Sequence, residues 1–327
     1  MFRTALLLVL LALPGAAQPV RMIFDTDIGN DIDDALALAE IHGLQSRGEV
    51  KLLAVTTTKD NPWAPVFVDL VNTFYGRGSI PVGAVKDGKT PDDGNYNRVV
   101  AERKDAAGKL VYPRRLRDGR DAPDAVPLLR RLLAGEADGS VTIVQVGFFT
   151  NLARLLDTQP DEASPLDGKA LVAKKVKLLS VMAGWFPSGD PEYNVKIDLA
   201  ATRKLIAGWP APIVASGYEI GEAIRYPARS IEHDFGWAKN HPVAEAYRAY
   251  AKMPYDRQTW DLTAVLYAVR PDAGYFGLSP AGRISVDEAG RTTFAEDPRG
   301  RHRILTVTPA QAARVREAFT WICSQPR

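Results

Sequence analysis

"RMIFDTDIGNDIDDALALAE", residues 21–40, joins an apolar run directly to an unusual concentration of acid. Five of the ten positions from 25 to 34 are aspartate, namely Asp25, Asp27, Asp31, Asp33 and Asp34. The apolar run at 22–24 predicts a buried strand, Gly29 permits a tight turn, and "DDALALAE" predicts a helix that begins near Asp33. A strand, a turn and a helix in immediate succession are typical of an α/β fold.

The clustered carboxylates require a source of stabilisation, because like charges at this spacing repel and raise one another's pKa values. A helix N-terminus offsets only about 1 kcal/mol per acidic group. We therefore interpret the cluster as ligands of a hard divalent cation, for which Ca²⁺, with its 6–8 oxygen ligands, is the best candidate. The alternative is a solvated acidic turn that caps a helix. An EF-hand does not fit, because the twelfth position counted from Asp25 is Leu36 rather than glutamate.

Strand-like and helix-like segments alternate along the rest of the chain. Further short apolar runs predict strands at 51–56, 141–146, 176–182 and 212–215. Longer amphipathic patterns predict helices at 65–75, 125–134, 151–157 and 199–207, in addition to 33–45. This order indicates a single α/β domain with an open, mostly parallel, Rossmann-like sheet and helices on both faces. Such sheets bind ligands at the carboxyl ends of their strands, where the aspartates lie.

Three other segments have their own signatures. Residues 84–122 are polar and highly charged, and we predict a long ordered excursion near the mouth of the site, with a disordered linker as the alternative. "GRISVDEAGRTTF" predicts a β-hairpin after residue 275. "PAQAARVREAFTWIC" predicts a closing helix, with Pro309 in its first turn.

The net charge and the cysteine content limit the properties that the chain can have. A net charge of +2 over 327 residues gives no electrostatic case for binding nucleic acid. A single cysteine, Cys323, excludes an intrachain disulfide.

The first 17 residues, "MFRTALLLVLLALPGAA", have the layout of a secretory signal, with a basic Arg3, an apolar run and small residues before a cleavage site after Ala17. We predict export to the periplasm or the medium, with residues 18–327 forming the mature domain, free of the membrane after cleavage. An uncleaved anchor is the alternative, but the apolar run at 5–13 is shorter than the roughly 20 residues that span a bilayer.

Five blocks in the same order as in a known family carry a resemblance: "DTDIGNDIDDALAL", "LLAVTTTKDN", "VTIVQVGFFTNLARLL", "VMAGWFPSGDPEYNVKIDLAATRKLI" and "WDLTAVLYAVRP". Together they resemble the inosine-uridine preferring nucleoside hydrolase family over residues 21–310. The two extra residues before the paired aspartates are similar to the longer-motif, secreted bacterial-type branch.

The resemblance implies an activity and a set of site residues. It implies a Ca²⁺-dependent hydrolase that cleaves the N-glycosidic bond of a ribonucleoside or related riboside, with a possible homo-oligomeric state. It implies that Asp27, Asp34, Asp261 and the backbone carbonyl of Thr150 hold the metal. It also implies that Asp33 is the general base for the attacking water. The residues implied to contact the ribose or lie beside it are Asp25, Asn61, Glu192 and Asn194.

One departure concerns the leaving group. Family members often carry a histidine before the last metal aspartate, but this chain has Trp260, which can stack on a ring and cannot donate a proton as a general acid. We therefore predict that Trp260 lines the leaving-group pocket. We interpret His233–Asp234 as surface or capping residues and His241 as a turn residue. The leaving group stays open between a purine, a pyrimidine and a non-standard base.

Two competing functions follow from the same residues. "MIFDTDIG" also resembles the opening of haloacid-dehalogenase phosphohydrolases, which would make Asp25 a nucleophile. Trp260 favours instead a Ca²⁺-dependent riboside- or sugar-binding protein derived from a hydrolase. Asp33 favours catalysis, because a binding protein does not need a base.

Overall fold

The structure is a computed structural model that describes residues 18–326. The predicted signal at 1–17 therefore lies outside the described residues. The strands are β1 Val20–Thr26, β2 Val50–Lys59, β3 Val82–Lys89, β4 Val141–Gln145, β5 Val176–Met182, β6 Ile213–Ser216, β7 Arg225–Tyr226, β8 Arg257–Gln258, β9 Gly277–Leu278, β10 Gly282–Val286, β11 Thr292–Glu296 and β12 His302–Thr306.

The helices surround these strands. They are α1 Asp33–Ser46, α2 Trp63–Phe74, α3 Asn97–Ala101, α4 Ala125–Gly135, α5 Thr150–Leu156, α6 Gly168–Lys175, α7 Tyr193–Ile197, α8 Leu199–Gly208, α9 Tyr218–Ala223, α10 Ala228–His233, α11 Pro242–Tyr250, α12 Trp260–Val269 and α13 Pro309–Cys323, with a short 3₁₀ turn at Gly119–Asp121. Between residues 18 and 326, none of these helices has the length and apolar character needed to cross a bilayer.

The main sheet runs in the order β11-β10-β12-β6-β5-β4-β1-β2-β3, and β9 pairs with β12 at its side. The strands from β3 through β1 to β12 are parallel, and β10–β11 form an antiparallel hairpin at one edge. The chain builds β2 and β3 on one side of β1 and then returns to place β4 on its other side. The boundary between β1 and β4 is therefore the topological switch point, where open α/β sheets form their ligand crevice.

The first helix is buried almost all round, because it packs between other helices as well as against the sheet. Residues 33–44 of α1 are buried, and α1 contacts both α12 and α13. Gly43 permits the approach of α13, since a Cβ at this position would lie 2.3 Å from the backbone oxygen of Ile322. This packing fixes the N-terminus of α1, and so the two aspartates that begin it.

The α/β architecture and the predicted strands and helices are confirmed, with ends that coincide or differ by up to three residues. The hairpin and the closing helix are also present. Five strands were not predicted, namely β3, β12 and the two-residue strands β7, β8 and β9. β3 takes the first part of the charged stretch at 84–122, and β12 completes the parallel sheet beside β6.

The remainder of the charged stretch is folded against the aspartate turn. The Tyr96 hydroxyl accepts from the backbone N–H of Gly29 at 2.7 Å and donates to the backbone oxygen of Asp31 at 2.6 Å. Asn97 donates to the backbone oxygen of Ile28 at 2.9 Å. The prediction of an ordered excursion at the site is confirmed, and the alternative of a disordered linker is wrong.

Candidate active site

A cavity of about 600 Å³ opens at the carboxyl ends of the central strands. Asp27 follows β1, Val146 follows β4, Met182 ends β5 and Tyr218 follows β6, and all four line the cavity. The cavity therefore lies on the switch point, where the topology predicts a ligand.

Three buried carboxylates meet at the floor of this cavity. Asp33, Asp34 and Asp261 each place a carboxylate oxygen within 4.8 Å of the others. Asp33 and Asp34 begin α1, and Asp261 lies in the first turn of α12, so two helix N-termini converge here. Asp33 accepts from the backbone N–H of Asp261 at 3.1 Å, and Asp34 accepts from the hydroxyl of Thr26. The fold thus joins residues 228 positions apart into one acidic group.

The electrostatics of this group suit a cation. Burial raises the pKa values of Asp33, Asp34 and Asp261 well above the usual range, and neighbouring aspartates raise them further. Among the described residues, Arg257 is the cation nearest to Asp33, and its guanidinium is already paired with Asp31. A divalent cation would supply the missing positive charge, and all the donors are oxygens, as hard cations require. The residues therefore fit such an ion.

Asp27 lines the same cavity but lies outside the group of three. Its carboxylate accepts from the side chain of Asn30 at 2.8 Å, and burial raises its pKa to about 6. The structure therefore brings Asp34 and Asp261 of the predicted metal ligands together, places Asp27 beside them, and adds Asp33 to the cluster.

The opposite wall carries two residues predicted to contact ribose. Glu192 caps α7, where its carboxylate accepts from the N–H groups of Asn194 and Val195 at 2.9 and 3.2 Å, and burial raises its pKa to about 7. Asn194 donates its side-chain amide to the backbone oxygens of Val146 and Met182 at 2.7 and 3.2 Å. These bonds hold the amide nitrogen against the wall, so Oδ1 is the group that Asn194 can offer to a ligand.

Three predicted residues do not line the cavity. Asp25 lies within β1, is 0% exposed, and accepts from the side chains of Thr56 and Asn151 at 2.5 and 2.9 Å. Asn61 donates to the backbone oxygen of Pro91 at 2.8 Å, because the excursion after β3 folds over the end of β2. Neither side chain lines the cavity, and the assignments of Asp25 beside the metal or ribose and of Asn61 to the ribose stay predictions.

Thr150 begins α5, and its hydroxyl donates to Asp198 at 2.5 Å. It is 3% exposed and does not line the cavity. The assignment of its backbone carbonyl to the metal stays a prediction.

A wall of aromatic side chains faces the carboxylates. Trp260 lines the cavity as predicted, and its ring lies 5.2 Å from that of Tyr218, which in turn lies 4.3 Å from that of Trp185. Trp260 Nε1 donates to the backbone oxygen of Tyr218 at 2.9 Å, which fixes the indole. None of the four histidines of the chain, all within the described residues, lines the cavity. His233 is exposed and His241 packs among aromatic rings, so neither is a site residue.

Four residues in or beside the cavity were not predicted from the sequence. Trp185 and Tyr218 follow the carboxyl ends of β5 and β6, and position after a predicted strand was the signal that could have found them. Arg257 lies 5.1 Å from the Trp260 ring centre and pairs with Asp31. The pair with Asp31 joins distant segments of the chain, so no local sequence pattern indicates it. Lys59 ends β2 and donates to the side chain of Asn30 at 2.7 Å and to the backbone oxygen of Thr90 at 2.9 Å, which ties the excursion to the turn.

The family of the chain follows from its similarity to known proteins. The sequence profile of the inosine-uridine preferring nucleoside hydrolases matches residues 22–317. The chain belongs to this family. The five blocks that carried the resemblance all fall within the matched range, and family membership removes the phosphohydrolase alternative. The burial of Asp25 agrees, because a nucleophile must face its substrate.

Individual members of the inosine-uridine preferring nucleoside hydrolase family are distant relatives. The chain is 29% identical over 193 residues to an inosine-uridine preferring nucleoside hydrolase from Leishmania major, covering 57% of this chain and 56% of the relative. It is 26% identical over 197 residues to one from Crithidia fasciculata, with the same coverage. The chain thus spans little more than half the length of these curated relatives. A plant nucleoside hydrolase of known structure shares the fold with a TM-score of 0.69 at 20% identity, covering 94% of this chain and all of that one.

Proposed function

We propose that this protein is a hydrolase that cleaves the N-glycosidic bond of a ribonucleoside or a related riboside. The observation that carries the proposal is the convergence of Asp33, Asp34 and Asp261 within 4.8 Å on a cavity at the switch point. Family membership and the nucleoside hydrolase relatives support the same bond and sugar class. The cavity of about 600 Å³ suits a ligand the size of a nucleoside.

The cation that we propose is Ca²⁺, held by Asp34 and Asp261 with Asp27 and the Thr150 carbonyl. The all-oxygen donor set supports a hard ion, and Ca²⁺ is a hard ion that takes 6–8 oxygen ligands. When bound, such an ion lowers the pKa of water and orients vicinal hydroxyls of the sugar.

The side chains of the protein carry out the proton transfer and stabilise the charge on the sugar. Asp33 accepts the proton of the attacking water, with Oδ2 held by the Asp261 N–H and Oδ1 left for the water. The oxygen of that water bonds to the anomeric carbon as the carbon–nitrogen bond breaks, and the bonding electrons leave with the base. Positive charge grows on the sugar during this step, and the Asn194 Oδ1 and the Glu192 carboxylate lie on the wall that would stabilise it.

The aromatic wall would receive the departing base. Replacing Trp260 by alanine removes one stacking surface, and we expect binding of aromatic leaving groups to weaken by about 1–3 kcal/mol, the usual value of one ring on a base. Isothermal titration with an uncleaved nucleoside analogue measures the loss. Trp260→Phe should restore most of the affinity. Trp321→Ala is the matched control, because Trp321 is 51% exposed and remote from the cavity. Equal losses from Trp260→Ala and Trp321→Ala would contradict a stacking role.

A panel of nucleosides and other ribosides, incubated with the full chain and Ca²⁺ and assayed for free reducing sugar, tests the proposed function. We expect release of ribose from at least one of them. The substitution of histidine by Trp260 supports a second candidate, a riboside-binding protein. Saturable binding of ribosides without release of sugar from any member of the panel would establish this second function and overturn the first.

We also propose that the protein is exported, on the signal-like character of residues 1–17. Mass spectrometry of the protein from its native source is expected to give a chain that begins at Gln18. Recovery from the cytoplasm of a chain that retains Met1 would refute export.

A further inference from the structure

A second cavity, of about 710 Å³, lies at the far edge of the sheet, away from the acidic site. It forms where β10 and β12 diverge, since these strands pair only at Gly282 and His302. α8 closes one side of the gap with Arg203 and Lys204. No residue of this second cavity is shared with the first.

The second cavity is strongly basic. Its described lining contains no aspartate or glutamate and five permanent cations, which are Arg203, Lys204, Arg283, Arg299 and Arg301. Two carboxylates outside the lining offset part of this charge, because Asp297 pairs with Arg283 at 2.7 Å and Asp157 pairs with Lys204. Asp297 also lies 4.0 Å from Arg299, and the five cations against these two carboxylates leave a net charge of about +3 around one cavity, in a protein whose overall charge is only +2.

Two residues of the lining have hydrogen bonds that show which of their donors are available to a ligand. His302 Nδ1 accepts from the backbone N–H of Ile284 at 3.0 Å, which leaves Nε2 as the hydrogen-bond donor of the ring. The Arg301 guanidinium donates one N–H to the backbone oxygen of Pro210 at 2.6 Å, which fixes its orientation and leaves its other donors available. Buried apolar side chains of Ile206, Trp209 and Ile284 complete the lining.

We propose that this cavity binds a small phosphorylated molecule, with the phosphate among the arginines and the organic part against the apolar lining. Arginine groups recognise tetrahedral oxyanions by paired, charge-assisted hydrogen bonds, and a site with five cations and no lining acid is complementary to a dianion. The volume is several times that needed by a bare phosphate and lies in the range of small-molecule sites. The low overall charge of the chain favours a small ligand over a nucleic acid.

Isothermal titration of the full chain at constant ionic strength, with inorganic phosphate and phenyl phosphate as probes, tests the proposal. We expect saturable binding of both, with phenyl phosphate the tighter because its ring covers the apolar lining. Phosphate binding that equals phenyl phosphate binding would overturn the assignment of an organic part. Binding of single-stranded DNA without saturable binding of either probe would overturn the small-molecule ligand.

Variants test which arginines of the second cavity bind the phosphate. Arg203→Gln/Arg299→Gln is expected to weaken phenyl phosphate binding about tenfold or more, the loss of at least one charge-assisted contact. Both side chains are exposed, so the double variant is expected to fold. Arg283→Gln/Arg301→Gln tests the other two arginines of the lining. Arg120→Gln, which removes an exposed arginine remote from the cavity, and Asp261→Asn in the acidic site should bind as the wild type does. Unchanged affinity in both double variants would overturn the proposed site.

Discussion

Asp33→Asn lowers the turnover of the best riboside substrate by about 10²–10⁴-fold, the usual contribution of a general base. The amide keeps the size of the carboxylate and an oxygen that can accept from the Asp261 N–H, but it cannot take a proton. Affinity for the cation and for an uncleaved riboside analogue is expected to change little. Steady-state assays of released sugar, together with titrations of cation and analogue, measure these quantities separately.

The position of Asp33 within the carboxylate group makes this separation necessary. Asp33 lies within 4.8 Å of Asp34 and Asp261, which is also where a ligand of the cation would lie. If the variant loses cation affinity and turnover together, Asp33 is a ligand and the base is elsewhere. Asp27 is then the best candidate, because Asp31 is paired with Arg257 and Asp25 is buried within β1. Wild-type turnover in Asp33→Asn would likewise move the base to Asp27.

Removing divalent cations is expected to abolish riboside hydrolysis and to lower the midpoint of thermal unfolding. The folded chain gathers ionised carboxylates that the unfolded chain keeps apart, so a cation binds the folded state preferentially. At a cation concentration of 100 times Kd the stabilisation is about 2.7 kcal/mol, which for a chain of this size corresponds to roughly 5 °C. Calorimetry after chelation, followed by addition of Ca²⁺, Mg²⁺ or Mn²⁺, measures the shift and ranks the ions.

Asp261→Asn gives the matched test of where the ion binds. It removes one charge from the group and should abolish the cation-dependent shift, whereas Asp118→Asn, at a remote surface pair, should retain it. A full shift in Asp261→Asn would show that the ion binds elsewhere. A larger shift with Mg²⁺ than with Ca²⁺ would retain the site and refute the assignment of calcium.

The parts of the fold that sequence predicted are those where burial leaves a local pattern. β1, β4 and β5 lie in the interior of the sheet, and their short, mostly apolar runs identify them. β12 has the mixed sequence "HRILT" and becomes a strand only because β6 lies beside it. Such a strand depends on tertiary pairing that a local pattern does not contain.

The same distinction applies to the site. Asp33 and Asp34 are adjacent at a helix start, so their place in the cluster could be predicted from local sequence, and Asp261 came from the resemblance. Asn61 was assigned to ribose, but its amide is taken by the backbone of Pro91, which depends on how a distant segment folds. The ion pair of Asp31 with Arg257 joins residues 226 positions apart and could not be predicted for the same reason.

The acidic site is discontinuous in the chain, and this has a consequence for when an ion can enter it. The Asp33 and Asp261 segments are 228 residues apart, and the turn between β1 and α1 is held by Tyr96 from a third segment. A nascent or unfolded chain therefore presents only scattered aspartates with weak affinity for any ion. The ion is acquired at the end of folding, so the compartment in which folding is completed decides which ion is there to be captured.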